Sequence, residues 1–379
     1  MTAEDFDARL TRFLDGHAPR RDQTQPRGTP TIEEARTFQR ALFDHGLAGI
    51  TWPAEYGGAG LTPEAQQRFA AAAADYVLPT SDLTIGLNVC APAILQFGDT
   101  QQKTRHLAAT LRGDHIWCQL WSEPEAGSDL AGVRTTAIAN RDGWTVSGQK
   151  IWTSGAQFAD FGLLLCRTDP EASKHRGLSM LIVDLDQPGV TVRPLRQMTG
   201  ESHFNEVFLD DVVAPSNAVL GGLGHGWTIA TWMMGRERVS VGLGMRNANT
   251  MAWADVADVA RTRGRDHDPA VRHRLAELHV RQRAAELLSA RLDQEAGAGI
   301  PQPLLGSAVK IVEAAVIRDN AEAAVDIAGD DAISWDPDTA DGGRLATTVL
   351  MSPAFAIGGG TDEIQLNTLA ERFLGLPRD

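Results

Sequence analysis

Cysteine is scarce in this sequence, and its three cysteines, Cys90, Cys118 and Cys166, lie too far apart to form a CxxC pair. Neither a zinc-binding knuckle nor a dithiol motif is therefore present. Long apolar runs are also lacking, and none approaches the roughly 18 residues that span a bilayer. The N-terminal residues mix acids with isolated apolar side chains, unlike a secretion signal. We expect a cytoplasmic protein with reduced thiols and no membrane segment.

Blocks of basic residues are missing as well. The chain has 35 basic and 49 acidic residues, which give a net charge of −14. This balance argues against nucleic acid or an anionic membrane as a partner. It does not exclude one specific anionic ligand, because a few basic side chains and helix N-termini are enough to hold phosphates. The ten histidines show no metal-ligand spacing, and no nucleophile elbow is present, so we predict no metal site and no Ser-His-Asp triad.

What remains is an ordinary globular composition, with 43% hydrophobic and 22% charged residues. The hydrophobic period is helical from Glu4 to about Arg112, changes to short apolar runs, and becomes helical again after Gly221–Gly226. We predict an α+β fold with domains at residues 1–115, 116–222 and 223–379.

The central segment is predicted to be a small β barrel or sandwich. Asn140–Gly143 ends in Asp-Gly and is predicted to be a hairpin turn. Seven runs are typical of strands: Ile116–Trp121, Val133–Ala139, Trp144–Ser147, Phe161–Cys166, Leu178–Asp184, Val190–Leu195 and Glu206–Leu209.

Three segments carry the candidate chemistry. Trp121–Asp129 combines small residues and hydroxyls in a loop that can approach a ring edge or an anion. Gly148–Gly155 offers the flat face of a tryptophan followed by two hydroxyl residues. Gly358–Gln365 has three glycines before a capped helix start. Taken singly, the first is better explained as a surface turn and the second as a core tryptophan at a strand end, and the third is only weakly diagnostic.

In this order and spacing the three segments closely resemble the acyl-CoA dehydrogenase family. Further similar stretches are Ile50–Gly58, Arg176–Asp184, Phe204–Val212 and Ala370–Pro377, so the resemblance covers nearly the whole chain. It implies an N-terminal helical domain, a central β-barrel domain and a C-terminal four-helix bundle. FAD is expected between the β domain and the C-terminal helices, and an acyl-CoA thioester is the expected substrate.

The resemblance also implies roles for individual residues. Ser128 is expected near the substrate as well as the cofactor. The expected flavin contacts are Gln119, Trp121, Ser122, Gly127, Ser128, Trp152, Thr153, Ser154, Thr361 and Glu363.

In this family a carboxylate removes the substrate's α-proton while hydride leaves the β-carbon for the flavin. Many members carry that carboxylate in the C-terminal loop, where this chain has Gly359, which has no side chain to act. A smaller set carries it on the first long helix after the β domain, and Glu237 matches that position. Glu237 also continues an apolar stripe with Ala230 and Met233 at helical spacing. We predict Glu237 as the base and Arg238 as a substrate-orienting or structural residue.

The adenine side of the cofactor site departs from the family pattern. Arg261–Pro269 lacks the usual Phe-Gly, and Ala328–Ala332 brings two acids where glycines are usual. Acids beside a pyrophosphate would repel it. The altered region is similar to that of bacterial steroid side-chain dehydrogenases, in which unlike subunits pair. We therefore weigh a heterotetramer against a homodimer or homotetramer, with an electron-transfer flavoprotein-like acceptor.

Two alternatives to a self-sufficient dehydrogenase stay open. One is a flavin oxidase or monooxygenase on the same fold. The other is a subunit that needs another chain to complete its FAD site. A base on the helix accompanies long or branched substrates in the family, which favours a bulky acyl chain.

Overall fold

The computed structural model describes residues 3–20, 30–244, 250–297, 303–335 and 343–377. It divides into two compact units. Unit 1 comprises Met1–Leu195 with Ser202–Met233, and unit 2 comprises Arg196–Glu201 with Met234–Asp379. None of the described helices is long and apolar enough to cross a membrane.

The N-terminal part of unit 1 is helical, as its hydrophobic period predicts. Two of its helices begin with a capping box, with Thr31 and Asp99 as the N-cap residues. The N-cap side chain accepts a hydrogen bond from the backbone amide three residues later, and the side chain of that later residue accepts one from the N-cap amide. A short helical turn at Ala54–Tyr56 lies between the second and third helices. The helices are α1 Ala3–His17, α2 Ile32–Asp44, α3 Pro63–Ala73, α4 Ala91–Phe97 and α5 Thr100–Arg112.

Eight strands follow in unit 1: β1 Trp117–Leu120, β2 Thr136–Ala139, β3 Gly143–Ser154, β4 Phe161–Arg167, β5 Leu178–Asp184, β6 Val190–Leu195, β7 Phe204–Pro215 and β8 Val219–Leu220. They form one sheet in the order β6-β7-β3-β2-β4-β5-β8, with β1 paired parallel to β4. All seven predicted strands exist, and the two-residue β8 is an eighth that the sequence analysis did not predict.

The sheet curls around a single core. One buried cluster contains residues from β1 to β5 and β7, among them Cys118, Val146, Leu164, Val183 and Val207. Strands β5 and β7 contact each other although three strands separate them in the sheet order, so the arrangement is barrel-like.

The boundaries of three strands differ from the prediction by several residues. One is β7, which runs over Phe204–Pro215 where only Glu206–Leu209 was predicted. The run from Val133 starts late, because Leu130–Gly132 forms a helical turn and β2 begins at Thr136. Strand β3 extends far beyond Ser147, because its partner β7 offers a long edge for pairing. The predicted hairpin is confirmed, since β2 and β3 pair antiparallel and the Asn140 amide donates to the Gly143 carbonyl at 2.9 Å.

The C-terminal part is helical again. Its core joins three of its helices through side chains such as Val256, Leu278 and Ala324. A helical turn at Gly329–Ile333 precedes the last two helices, and residues 336–342 lie outside the described part. The helices are α6 Gly226–Gly244, α7 Trp253–Thr262, α8 Pro269–Gly297, α9 Pro303–Ala328, α10 Arg344–Ile357 and α11 Asp362–Thr368.

Candidate active site

The loop after β1 is held against strand β3. The Ile151 amide donates to the Ser122 carbonyl at 2.9 Å, and the Lys150 ammonium donates to the Trp121 carbonyl at 2.9 Å. The loop closes on itself through two backbone bonds between Glu123 and Ala126, at 3.0 and 3.1 Å. The first two candidate segments, which lie about thirty residues apart in sequence, are therefore neighbours in unit 1.

A buried ion pair stands at this junction. Lys150 is fully buried, and its Nζ lies 2.8 Å from Glu123 Oε1. Burial acts to raise the pKa of the Glu123 carboxyl, but the Lys150 ammonium and hydrogen bonds from Thr135 and Arg134 outweigh it and hold that pKa below its usual range. The carboxylate is thus charged at neutral pH.

Trp152 has an unusual backbone. Its φ is +59°, in the left-handed region that residues other than glycine seldom adopt. The pairing of β3 with β7 shifts register between Lys150 and Thr153, so Trp152 lies in a β-bulge. Its side chain is 59% exposed and meets only the edge of the Phe204 ring, at 6.0 Å between centroids, among its described aromatic contacts. A strained backbone that exposes a large indole is typical of a functional site.

Three buried polar groups on β1 and on these two segments have no hydrogen-bond partner among the described residues. They are Gln119 Nε2, Trp121 Nε1 and Thr153 Oγ1. A buried polar group without a hydrogen-bond partner lowers the stability of the fold, and such groups are rare unless a ligand or a water molecule forms a hydrogen bond with them. The two N–H groups and the hydroxyl are suited to the nitrogen and oxygen acceptors on the rim of a flavin ring. This part of unit 1 therefore fits the flavin that the resemblance implies.

Gly127 and Ser128 continue the same loop and are exposed. A Cβ added at Gly127 would meet no atom within 4 Å, so that residue borders open space. Asp129 after them is bound by both of its oxygens to Lys174 Nζ at 2.6 Å. Ser154 is half-buried, next to Thr153. The structure thus places the eight predicted contacts of unit 1 on two adjacent segments and on the strand that precedes one of them.

In unit 2, Thr361 caps helix α11 and accepts the Ile364 amide at 3.3 Å. The first turn is tied to α9, where Lys310 Nζ donates to Asp362 Oδ1 at 2.8 Å and to the Ala356 carbonyl at 3.1 Å. The backbone amide of Glu363 and the Thr361 hydroxyl lower the pKa of the Glu363 carboxyl. Thr361 and Glu363 are therefore presented on a fixed helix start.

Gly359 and Gly360 precede this helix with φ values of +68° and +89°. The Gln365 side-chain amide donates to the Gly359 carbonyl at 2.8 Å. A side chain at Gly359 would have open space around its Cβ but a strained backbone.

The predicted base lies on α6. Ala230 and Met233 are fully buried, as the apolar stripe predicts. The backbone at Glu237 and Arg238 belongs to the same helix, but the side chains of these two residues lie outside the described residues.

The segment with the altered adenine-side pattern connects α7 to α8. Arg265 donates to the carbonyls of Asp326 and Ile327 at 3.2 Å, and Arg261 pairs with Asp258. These two arginines therefore make contacts within unit 2.

No role was predicted from the sequence for Lys150, Glu123, Lys310 or Asp362. A signal existed for Lys150, because it follows Val146 at an even spacing along a strand whose alternate residues face the core. A lysine at an inward position is unusual and needs a buried partner. For the other three, no periodic signal marks burial.

Comparison with known proteins identifies the family. Three family models match successive parts of the chain: the N-terminal domain of acyl-CoA dehydrogenase at residues 2–114, the middle domain at residues 118–212 and the C-terminal domain at residues 224–374.

Two relatives from Mycobacterium tuberculosis are similar over most of the chain. The acyl-CoA dehydrogenase FadE34 is 38% identical over 91% of this chain, which spans only 47% of FadE34, about half its length. The acyl-CoA dehydrogenase IpdE1 is 36% identical, over 92% of this chain and 89% of IpdE1.

Among solved structures, the Tcur3481–Tcur3483 steroid ACAD matches with a TM-score of 0.82 and 27% identity, over 99% of this chain and 98% of the other. The predicted α+β fold class is confirmed by these matches and by the element order. The chain belongs to the acyl-CoA dehydrogenase family of flavoenzymes.

Proposed function

We propose that this protein catalyses the FAD-dependent α,β-dehydrogenation of a bulky acyl-CoA thioester. The observation that carries the proposal is that Gln119 Nε2, Trp121 Nε1 and Thr153 Oγ1 are buried without a hydrogen-bond partner among the described residues. They lie on β1, on the loop after it and on the segment that also carries the exposed Trp152 with its left-handed backbone. Family membership supports the reaction type. The proposed domains are residues 1–115, 116–222 and 223–379.

In the proposed flavin site, the ring stacks on the indole face of Trp152. The three buried groups without a described partner, on Gln119, Trp121 and Thr153, form hydrogen bonds with the ring. Ser122 and Ser154 add hydroxyls beside them, and Gly127 and Ser128 offer amides and a hydroxyl to phosphates and substrate. Thr361 and Glu363 are proposed as further cofactor contacts in unit 2. When bound, FAD supplies a hydride acceptor for the substrate's β-carbon.

Glu237 is the proposed base, which takes the α-proton onto a carboxylate oxygen. Gly359 supports this choice because the loop position that carries the base in many relatives has no side chain here. Desolvation of a glutamate raises its pKa toward neutrality and makes it a better base. Arg238 is proposed to orient the substrate.

The proposed substrate class is a branched, long or steroid-derived acyl chain, within fatty acid or steroid catabolism. The similarity to the structure described as a steroid ACAD supports it. That structure carries two protein names, which supports a heterotetramer as an alternative to a homodimer or homotetramer. An electron-transfer flavoprotein-like protein is proposed as the acceptor, and the cytoplasm as the location.

The test is anaerobic bleaching of the flavin by straight, branched and steroid acyl-CoAs. We expect bleaching, fastest with a bulky chain, and little oxygen consumption in air. Bleaching by no acyl-CoA, or rapid oxygen consumption with a nitro or amine compound, would contradict the proposal. The protein is tested alone and with its genomic neighbour, because a subunit that needs a partner would be colourless alone.

The base is tested with Glu237→Gln, and Glu322→Gln on the exposed surface of α9 serves as the control. Loss of a positioned base typically slows a reaction by about 10²- to 10⁴-fold. We expect Glu237→Gln to bind FAD and substrate but to bleach at least about 10²-fold more slowly, while the control bleaches normally. A normal rate in Glu237→Gln would remove Glu237 from this role.

A further inference from the structure

The buried pair of Lys150 and Glu123 has no role in the proposed chemistry. Their side chains are 0% and 8% exposed, so both charges are withdrawn from water. A buried ion pair is often no more stabilising than well-packed apolar side chains of the same size. Its presence in the core of the β domain therefore calls for a reason beyond stability.

Lys150 connects three separate segments. Its ammonium donates to the Trp121 carbonyl at 2.9 Å, to Glu123 Oε1 at 2.8 Å and to the Leu165 carbonyl at 2.7 Å. An ammonium has three protons, and all three are used. The loop after β1, strand β3 and strand β4 are thus fixed to one atom.

Glu123 fixes the loop from the other side. Its Oε1 also accepts the Thr135 amide at 2.9 Å, and its Oε2 accepts the Arg134 amide at 2.6 Å. Through its backbone, Glu123 closes the turn with Ala126. The carboxylate therefore ties the loop to the chain just before β2.

Residues close to this pair in sequence carry buried polar groups without a described hydrogen-bond partner. Trp121 lies two residues before Glu123, and Thr153, next to Trp152, lies three residues after Lys150. The bond between the Ile151 amide and the Ser122 carbonyl adds a second link between the two segments. A shift of either segment would change the spacing between Trp121 Nε1 and Thr153 Oγ1.

We propose that Lys150 and Glu123 are positioning residues, which hold the Trp121–Ser122 loop and the Trp152–Thr153 bulge at the spacing that a flavin ring requires. This inference rests on the proposed FAD-dependent function. Groups that bind a ligand must be held within about half an ångström of the required position, and hydrogen bonds from neighbouring residues provide this positioning. Apolar side chains in place of this pair would allow the loop and the strands to slide past each other, whereas three directional hydrogen bonds from the Lys150 ammonium prevent it.

The test compares the double variant Lys150→Met with Glu123→Gln against the wild-type full chain, together with any chain that co-purifies with it. Removing both charges avoids an unpaired buried ion. The apoprotein is titrated with FAD by fluorescence quenching, and the flavin absorption spectrum and the thermal midpoint of the apoprotein are recorded. Loss of outer-shell support typically weakens binding by about 10- to 100-fold in metal sites.

We expect an apoprotein that folds with a lowered thermal midpoint, because the Trp121 and Leu165 carbonyls lose their donor. We also expect a Kd for FAD raised at least about tenfold and a shifted flavin spectrum. The control is Arg36→Met with Asp160→Asn, which removes a half-buried pair of the same unit whose N···O distance is 3.2 Å. It should leave the Kd unchanged.

If the double variant does not fold, Glu123→Gln alone is decisive, because it keeps the volume and must weaken FAD binding in the same direction. An unchanged Kd and spectrum in a folded variant, with a wild type that binds FAD, would overturn the positioning role alone. A wild type that binds no FAD under these conditions would overturn the proposed function and this inference with it.

Discussion

The ammonium of Lys310 lies 2.8 Å from the carboxylate of Asp362, with the lysine side chain 4% and the aspartate side chain 17% exposed. The pair joins the middle of α9 to the first turn of α11. It fixes the helix start that carries Thr361 and Glu363, the two proposed cofactor contacts of unit 2.

Lys310→Met should destabilise unit 2. The variant leaves the partly buried Asp362 carboxylate with Arg318 at 3.5 Å as its remaining described cation. Breaking a fully buried pair costs about 3 kcal/mol or more, so we expect a loss of at most about 3 kcal/mol here. Urea unfolding measures the change. The control is Lys174→Met, whose pair with Asp129 is half-exposed and should contribute less than about 1 kcal/mol. Equal effects of the two variants would contradict the prediction.

Thr153→Val should separate folding from cofactor binding. The Thr153 hydroxyl is buried without a described partner, so its removal should leave the apoprotein as stable or more stable by about 1 kcal/mol. FAD affinity should fall by roughly tenfold, because one hydrogen bond to a ligand is lost. Thermal unfolding and FAD titration measure the two effects.

The matched control is Thr110→Val. Thr110 is equally buried, but its hydroxyl donates to the His106 carbonyl at 2.7 Å and accepts from Trp117 Nε1 at 2.8 Å. Its loss should cost about 1 to 3 kcal/mol without changing FAD affinity. If Thr153→Val costs as much stability as Thr110→Val and keeps full affinity, Thr153 has no flavin contact.

Unit 1 should lose stability as the pH falls from about 6.5 toward 3. Burial, with His115 and Arg105 acting the same way, lowers the pKa of the His106 imidazole from 6.5 to about 3. Between these pH values His106 is protonated in the unfolded chain but stays neutral in the folded chain. Proton binding therefore favours the unfolded state as the pH falls, and the stabilisation present above pH 6.5 is lost. Its neighbour His115, whose Nδ1 lies 3.3 Å away, has a pKa lowered chiefly by burial, against the opposing charge of Asp160.

The measurement is the thermal midpoint as a function of pH. His106→Asn should flatten the decline between pH 6.5 and 4, whereas His267→Asn, whose side chain is 90% exposed, should leave the profile unchanged. Identical profiles for the wild type and His106→Asn would contradict the assignment.

Gly359→Glu should lower the stability of unit 2 by about 1 to 2 kcal/mol. The φ of +68° is the cause, because no neighbouring atom lies within 4 Å of an added Cβ. The control is Gly235→Ala in α6, which also meets no atom but has no positive φ and should raise stability by about 0.5 to 1 kcal/mol. Urea unfolding of both variants checks the difference in sign.

Much of the fold follows from local pattern. The capping boxes at Thr31 and Asp99, the Asp-Gly hairpin and the alternating strand runs are each encoded within a few residues. The full length of β3 and the existence of β8 are not encoded in that way, because strand ends depend on which partner edge is available.

The candidate site also combines features that the local sequence predicts with features that depend on tertiary structure. Trp121, Trp152 and Thr153 were predicted as flavin contacts from motifs that resemble the family. The left-handed backbone of Trp152 was not foreseeable from the motif, since tryptophan has no preference for that region and the β3–β7 bulge imposes it.

The sequence by itself determined the α, β, α order and the family resemblance. It also led to the proposal of Glu237 as the base, because Gly359 leaves the loop position without a side chain. Only the tertiary structure decided that Lys150 and Glu123 meet in the core and that polar groups of Gln119, Trp121 and Thr153 are buried without a partner among the described residues. Residues far apart in the chain become partners through strand pairing and burial, and the local pattern does not specify which of them will meet.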